Sequence, residues 1–189
     1  YGGLSMLRKN RKSGFTFMRK INEDSVFLGS TPELLYSRFN NEIKSMALAG
    51  TLKKALSNSD QLLNDPKEVQ EHGFVKNWVE SQLKSICSSV QVDPDNKVIN
   101  HDYVQHIYSE VIGTLSSCIP DLSIIKLLHP TPAIGGMPTQ EAKKFIKKLE
   151  PFSRGYFAGI VGLMSKESSQ FAVTIRSALI KGSTVHLFS

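Results

Sequence analysis

Cysteine, tryptophan and long apolar runs are all scarce in this chain, and each scarcity excludes something. Its 189 residues include two cysteines, Cys87 and Cys118, and a single tryptophan, Trp78. Neither cysteine sits in a metal-binding or redox spacing, which argues against a disulfide framework or a zinc site. Both read as reduced thiols in the core or at its boundary. No apolar stretch approaches the roughly 18 residues needed for a membrane-spanning helix, and the start, Tyr1-Gly2-Gly3, resembles no signal peptide. Internal repeats and low-complexity linkers are missing as well. The expectation is a soluble protein without a membrane partner.

The composition that remains, 40% apolar and 21% charged, is that of a globular domain. The length suits one domain, residues 1–189. Because the chain has no initiator methionine and Val185-His186-Leu187-Phe188-Ser189 stops within a strand-like pattern, both ends are expected to be cuts through a larger domain. Acidic residues number 17 against 23 basic ones, a net charge of +6 that suits an anionic partner. The basic residues lie in short scattered clusters, Arg8 to Lys12, Lys53-Lys54 and Lys143 to Lys148, rather than on an aromatic-studded surface. A small anion is therefore favoured over nucleic acid.

Runs rich in β-formers occur at Phe15 to Met18, Ser25 to Leu28, Leu34 to Ser37 and Ile43 to Ala49, separated by polar turns such as Asn22-Glu23-Asp24 and Asn40-Asn41. They predict an antiparallel meander. A long helix is predicted from Pro66 to Val90, with proline at its first turn. His101 to Leu115 reads as strand or mixed structure and Leu122 to Leu128 as a short helix. Pro138 to Leu149 reads as an amphipathic helix with Ala142, Phe145, Ile146 and Leu149 inward. Strands return from Tyr156 to Phe188. Blocks of strand and helix without βαβ alternation predict an α+β fold.

Four places could carry chemistry. In Phe171 to Ala178, a strand would put Arg176 on one face with Ala172, Thr174 and Ala178, leaving room for a carboxylate or phosphate beside the guanidinium. The plainer alternative is an arginine in solvent or paired with an acid. On the long helix, Glu71 falls on one stripe with Val75, Trp78, Gln82 and Ile86. A carboxylate buried there must pair, hydrogen-bond, keep a proton or bind a cation, unless the helix start is frayed and Glu71 is wet. Glu33, in Thr31-Pro32-Glu33, sits where one strand turns into the next; it is either a half-buried general acid or a turn residue. The stretch from His129 to Pro138 combines stiffening prolines with two glycines before a helix start. That is either an anion site or a rigid loop, with His129 as proton carrier or simple hydrogen-bonding residue.

The order of the motifs goes further. Gly29-Ser30-Thr31-Pro32-Glu33-Leu34-Leu35, Leu48-Ala49-Gly50-Thr51, Glu71-His72, Leu128 to Pro138, Leu149-Glu150-Pro151-Phe152, Ala158-Gly159-Ile160-Val161-Gly162 and Thr174-Ile175-Arg176-Ser177-Ala178 follow one another as in the chorismate-utilising enzymes. The chain resembles that family from about Phe15 onward, and His129-Pro130-Thr131-Pro132-Ala133 resembles its isochorismate synthase branch.

The resemblance implies an α+β fold of layered antiparallel sheets flanked by helices, and a Mg²⁺-dependent isomerase that converts chorismate to isochorismate. It implies Glu33 as general acid for the C4 hydroxyl, Glu71 as a Mg²⁺ ligand, and Arg176 as the grip on a substrate carboxylate. Gly50, Thr51, His106 and His129 would line the pocket. It implies a cytoplasmic enzyme, or a plastid one in a plant, serving menaquinone or siderophore synthesis. The family's base lysine and last Mg²⁺-binding glutamate have no match here, so the 189-residue chain alone is expected to turn over little. The alternatives are a salicylate synthase, separable by its fluorescent product, and a non-catalytic domain of the same fold. A nucleic-acid binder, the weakest alternative, would betray itself by steep salt dependence.

Overall fold

The computed structural model describes residues 14–54, 58–101 and 103–188, so the Arg8 to Lys12 cluster lies outside the described residues. The strands are β1 (Phe15–Lys20), β2 (Ser25–Thr31), β3 (Leu34–Phe39), β4 (Glu42–Lys53), β5 (Cys87–Val92), β6 (Lys97–Asn100), β7 (Val104–Leu115), β8 (Ile160–Met164), β9 (Ser168–Val173), β10 (Ser177–Lys181) and β11 (Thr184–Phe188). The helices are α1 (Ser59–Asn64), α2 (Pro66–Lys84), α3 (Asp121–Leu128), α4 (Pro132–Gly135) and α5 (Thr139–Leu149). The fold is α+β, as expected.

All strand pairings are antiparallel, and the strands form two sheets. A four-stranded sheet has the order β1-β2-β10-β11; a seven-stranded one has the order β5-β7-β4-β3-β9-β8, with β6 also paired to β7. The first four strands are therefore not one meander. Pro32 and Glu33 carry the chain from the small sheet to the large one, because proline interrupts the ladder that a continued strand would need. The predicted single strand from Phe171 to Ala178 is also split. It leaves the large sheet after Val173 and enters the small one at Ser177, with Arg176 in the left-handed region at φ 49°.

Helix α2 is opened by Asp65, whose side chain accepts the amides of Lys67 and Glu68, with Pro66 at the first position. It ends at Lys84, six residues before the predicted boundary, because Cys87-Ser88-Ser89-Val90-Gln91-Val92 pairs with β7 instead. Its inward stripe also differs from expectation. Glu68, His72, Val75, Val79 and Leu83 are buried, whereas Glu71 is exposed and Trp78 only half-buried. The stripe follows the aliphatic Val75-Val79-Leu83 row, which packs with Ala47, Ala49, Val111 and Leu115 of the large sheet. In α5, Ala142 and Ile146 are half-buried, but Phe145 at 62% and Leu149 at 71% exposure face outward, against expectation. Both cysteines are free, Cys87 half-buried and Cys118 exposed.

Helix α3 is held to the large sheet by a carboxylate hub. Asp121 Oδ1 accepts hydrogen bonds from Tyr36 Oη (2.8 Å), Arg38 Nε (3.2 Å) and Ser169 Oγ (2.6 Å), while Oδ2 pairs with Arg38 Nη2 at 3.0 Å. Burial alone would raise the Asp121 pKa, but the bonds from Arg38, Ser169 and Tyr36 prevail and hold it below the ordinary value. Arg38 and Asp121 side chains are only 10% and 11% exposed, so losing one strands the other. We expect Asp121→Ala to destabilise the fold by about 3 kcal/mol, read as a lower urea midpoint, and Asp121→Asn to cost less.

Candidate functional site

The two places where the chain changes sheets lie side by side. The Val173 amide donates to the Glu33 carbonyl at 3.0 Å, and the Ser30 amide to the Arg176 carbonyl at 3.2 Å. Around them, the Ala158 amide donates to the Thr174 carbonyl (3.0 Å), and the Thr174 amide returns a bond to the Gly159 carbonyl (2.9 Å). Backbone groups that leave a ladder must find partners. Here they find each other, and the side chains at the crossings are fixed as a result.

Glu33 is one of those side chains. It is 5% exposed, and its oxygen Oε1 accepts a bond from Thr131 Oγ1 at 3.2 Å. Burial pushes its pKa up from 4.5 to about 7, against the opposing hydrogen bond from Thr131. A carboxyl group that keeps its proton near neutrality is suited to act as an acid. Thr131 arrives at the end of the segment that follows α3, past the cis His129–Pro130 bond. In the same segment His129 donates from Nε2 to the Ala158 carbonyl at 2.9 Å, and burial lowers its pKa, so the neutral imidazole presents Nδ1 as an acceptor.

Arg176 meets a second group. Its Nη2 bonds Nε2 of His106 on β7, and because a guanidinium only donates, Nε2 is the acceptor. The proton of the neutral ring then sits on Nδ1, 2.8 Å from Thr51 Oγ1. Burial first, then Arg176 and His101, push the His106 pKa down to about 4. Thr51 follows a β-bulge in β4 at which Gly50 adopts φ 79°. A Cβ on Gly50 would come within 2.8 Å of the Glu68 carbonyl oxygen, so only glycine lets β4 approach α2 this closely. Arg176 is itself half-buried, and burial lowers its pKa.

Glu33, Thr131 and His129 thus gather at the sheet crossings, and Gly50, Thr51 and His106 assemble on Arg176. Glu71 hydrogen-bonds to none of these residues. It stands on the exposed side of α2 and lines a groove of about 360 Å³ with Phe74, Val75, Pro132, Ala133 and Met137. Among the described residues no three His, Cys, Asp or Glu side chains converge as a ready metal site. Glu71 could supply one ligand of the sparse kind that Mg²⁺ accepts, with water and substrate oxygens as the rest. Two residues went unassigned from sequence. Thr131 carried no signal of its own, whereas Glu68 would have emerged from the Val75-Val79-Leu83 stripe, to which it belongs.

Comparison with known proteins agrees with this architecture. The family model described as chorismate binding enzyme matches residues 2–189. The isochorismate synthase MenF of Bacillus subtilis is 36% identical over 194 residues, covering 98% of this chain and 41% of that protein. A chloroplastic isochorismate synthase of Catharanthus roseus is 37% identical, covering 94% of this chain and 32% of that protein. The solved structure of the menaquinone-specific isochorismate synthase MenF of Escherichia coli superposes with a TM-score of 0.90 at 30% identity, over 98% of this chain and 44% of that one. The chain spans less than half the length of these relatives. With its two sheets, its crossing-point carboxyl and its family match over nearly every residue, the chain belongs to the chorismate-binding enzymes.

Proposed function

We propose that the protein is an isochorismate synthase, an isomerase that takes chorismate to isochorismate. The observation that carries this reading is Glu33, a buried carboxyl group with its pKa raised to about 7 at the crossing of the two sheets. The names of the relatives support it. In the reaction a water oxygen forms a bond to C2, the ring double bonds shift, and the C4–oxygen bond breaks. Glu33 gives its proton to the departing C4 hydroxyl, which leaves as water. The attacking water loses its proton to a base, which the family pattern makes a lysine.

Arg176 would hold a substrate carboxylate, which the guanidinium fork suits and the net charge of +6 favours at long range. His106 keeps that arginine in place while staying neutral, so the pocket retains its positive charge for the anion. Gly50, Thr51 and His129 would complete the walls. Glu71 would hold Mg²⁺ together with water and substrate oxygens. When bound, the ion neutralises the substrate's ring carboxylate. The setting proposed is cytoplasmic, or plastid as for the chloroplastic relative, with menaquinone or siderophore synthesis downstream.

The test gives the full-length protein chorismate and Mg²⁺ and separates the products by chromatography. Isochorismate should form and should fall at least a hundredfold in Glu33→Gln, which keeps the shape and removes the acid. Fluorescent salicylate would point to the pyruvate-eliminating reaction instead, and no turnover by the folded protein would sink the reading.

The pH dependence follows from the same group. Glu33 works in its protonated form, and its folded pKa lies above the ordinary 4.5. The acid is therefore present below about pH 7 and is lost as pH rises through that value. A kcat/KM profile should fall on the alkaline side by about tenfold per pH unit. Thr131→Val, which removes the bond that lowers this pKa, should move the falling limb to higher pH. A limb that stays in place would show that it belongs to another group.

A further inference from the structure

We propose that Glu68 is a positioning residue for Arg176, acting across α2 and β4 through Thr51 and His106. The proposal rests on the reading of Arg176 as the substrate-carboxylate anchor. Glu68 is buried at the start of α2, a costly place for a carboxylate that serves only to fill space. Its oxygen Oε2 accepts the Thr51 amide at 2.7 Å, and Oε1 takes Lys67 Nζ at 2.8 Å. The Thr51 amide comes directly after the bulge, where the β4–β7 register shifts, and an amide freed from its ladder must be satisfied elsewhere. A carboxylate makes that bond charge-assisted and therefore short and directional.

The consequence runs on from residue to residue. With the Thr51 amide pinned, the bulge holds the Nδ1 side of His106 through a backbone hydrogen bond to Gly50 and through Thr51 Oγ1 at 2.8 Å, and the ring keeps its Nε2 lone pair for Arg176. Arg176 makes no salt bridge among the described residues, so this imidazole is what orients its guanidinium. If the bulge drifts, the Gly50 and Thr51 contacts loosen together and the ring can carry its hydrogen on either nitrogen. In the wrong tautomer Nε2–H would face the guanidinium donor to donor and turn it away.

The test uses the full-length protein with Glu68→Ala, Glu68→Met and Glu68→Gln. The tautomer of His106 is read from imidazole ¹⁵N chemical shifts, assigned by comparison with His106→Gln. Wild type should hold the hydrogen on Nδ1, whereas Glu68→Ala and Glu68→Met, which leave the Thr51 amide without its acceptor, should give a mixture. The KM for chorismate should rise about tenfold in both, the size of one lost hydrogen bond, with kcat changed far less. Glu68→Gln keeps an acceptor and should recover most of both signals. An unchanged tautomer in Glu68→Ala would overturn the proposal, and an unchanged tautomer in Glu68→Met, which keeps most of the volume, would do the same should Glu68→Ala fail to fold. A shifted tautomer with an unchanged KM would leave Glu68 as the positioning residue and remove Arg176 from substrate binding instead.

Discussion

Everything at the site depends on two backbone bonds, Val173 to Glu33 and Ser30 to Arg176. A strand that leaves one sheet for another abandons its ladder partners, and such groups buried without replacements would cost more than the fold can spare. The protein meets this constraint by making its two crossings in the same place, so that each satisfies the other. Side chains at that junction are consequently held by main chain rather than by loops. Polar groups placed there, Glu33 and Arg176 above all, are fixed in position without any ligand, which is what the proposed chemistry would require.

The supports are arranged in two tiers. Close to the junction, neutral hydrogen-bonding groups do the holding: Thr131 on Glu33, Ala158 on His129 and His106 on Arg176. Farther out, ionised groups take over, with Asp121 tying α3 to the large sheet and Glu68 tying α2 to β4. Among these close contacts Arg176 is the one formal charge, while Glu71 stands apart on the exposed side of α2.

Much of this is legible in the sequence, and the failures have definite causes. Strand runs, the start of α2 at Pro66 and the presence of Glu33 at a strand junction all follow from local chemistry, because proline, capping residues and β-formers act on their immediate neighbours. The order of the motifs carries the family. What local chemistry does not give is which sheet each strand joins; that is decided by contacts far apart in sequence, and so the single meander and the unbroken strand through Arg176 both fail. The stripe on α2 is misplaced by one step around the helix for a related reason. Val75 belongs to either stripe, and only the large sheet beneath decides for Val79 and Leu83 over Trp78 and Gln82. Phe145 and Leu149 of α5 are expected inside because an amphipathic pattern records that a face is apolar without recording what covers it.

Arg176 combines two demands that ask for different amino acids. Its backbone, at φ 49°, favours glycine or asparagine, and holding an arginine there costs on the order of 1 kcal/mol. Its side chain is the one proposed to grip the substrate carboxylate. Under that proposal, stability and ligand capture pull this one position in opposite directions. A stability-guided redesign of the protein would rank glycine at position 176 as an improvement while removing the group around which the site is organised.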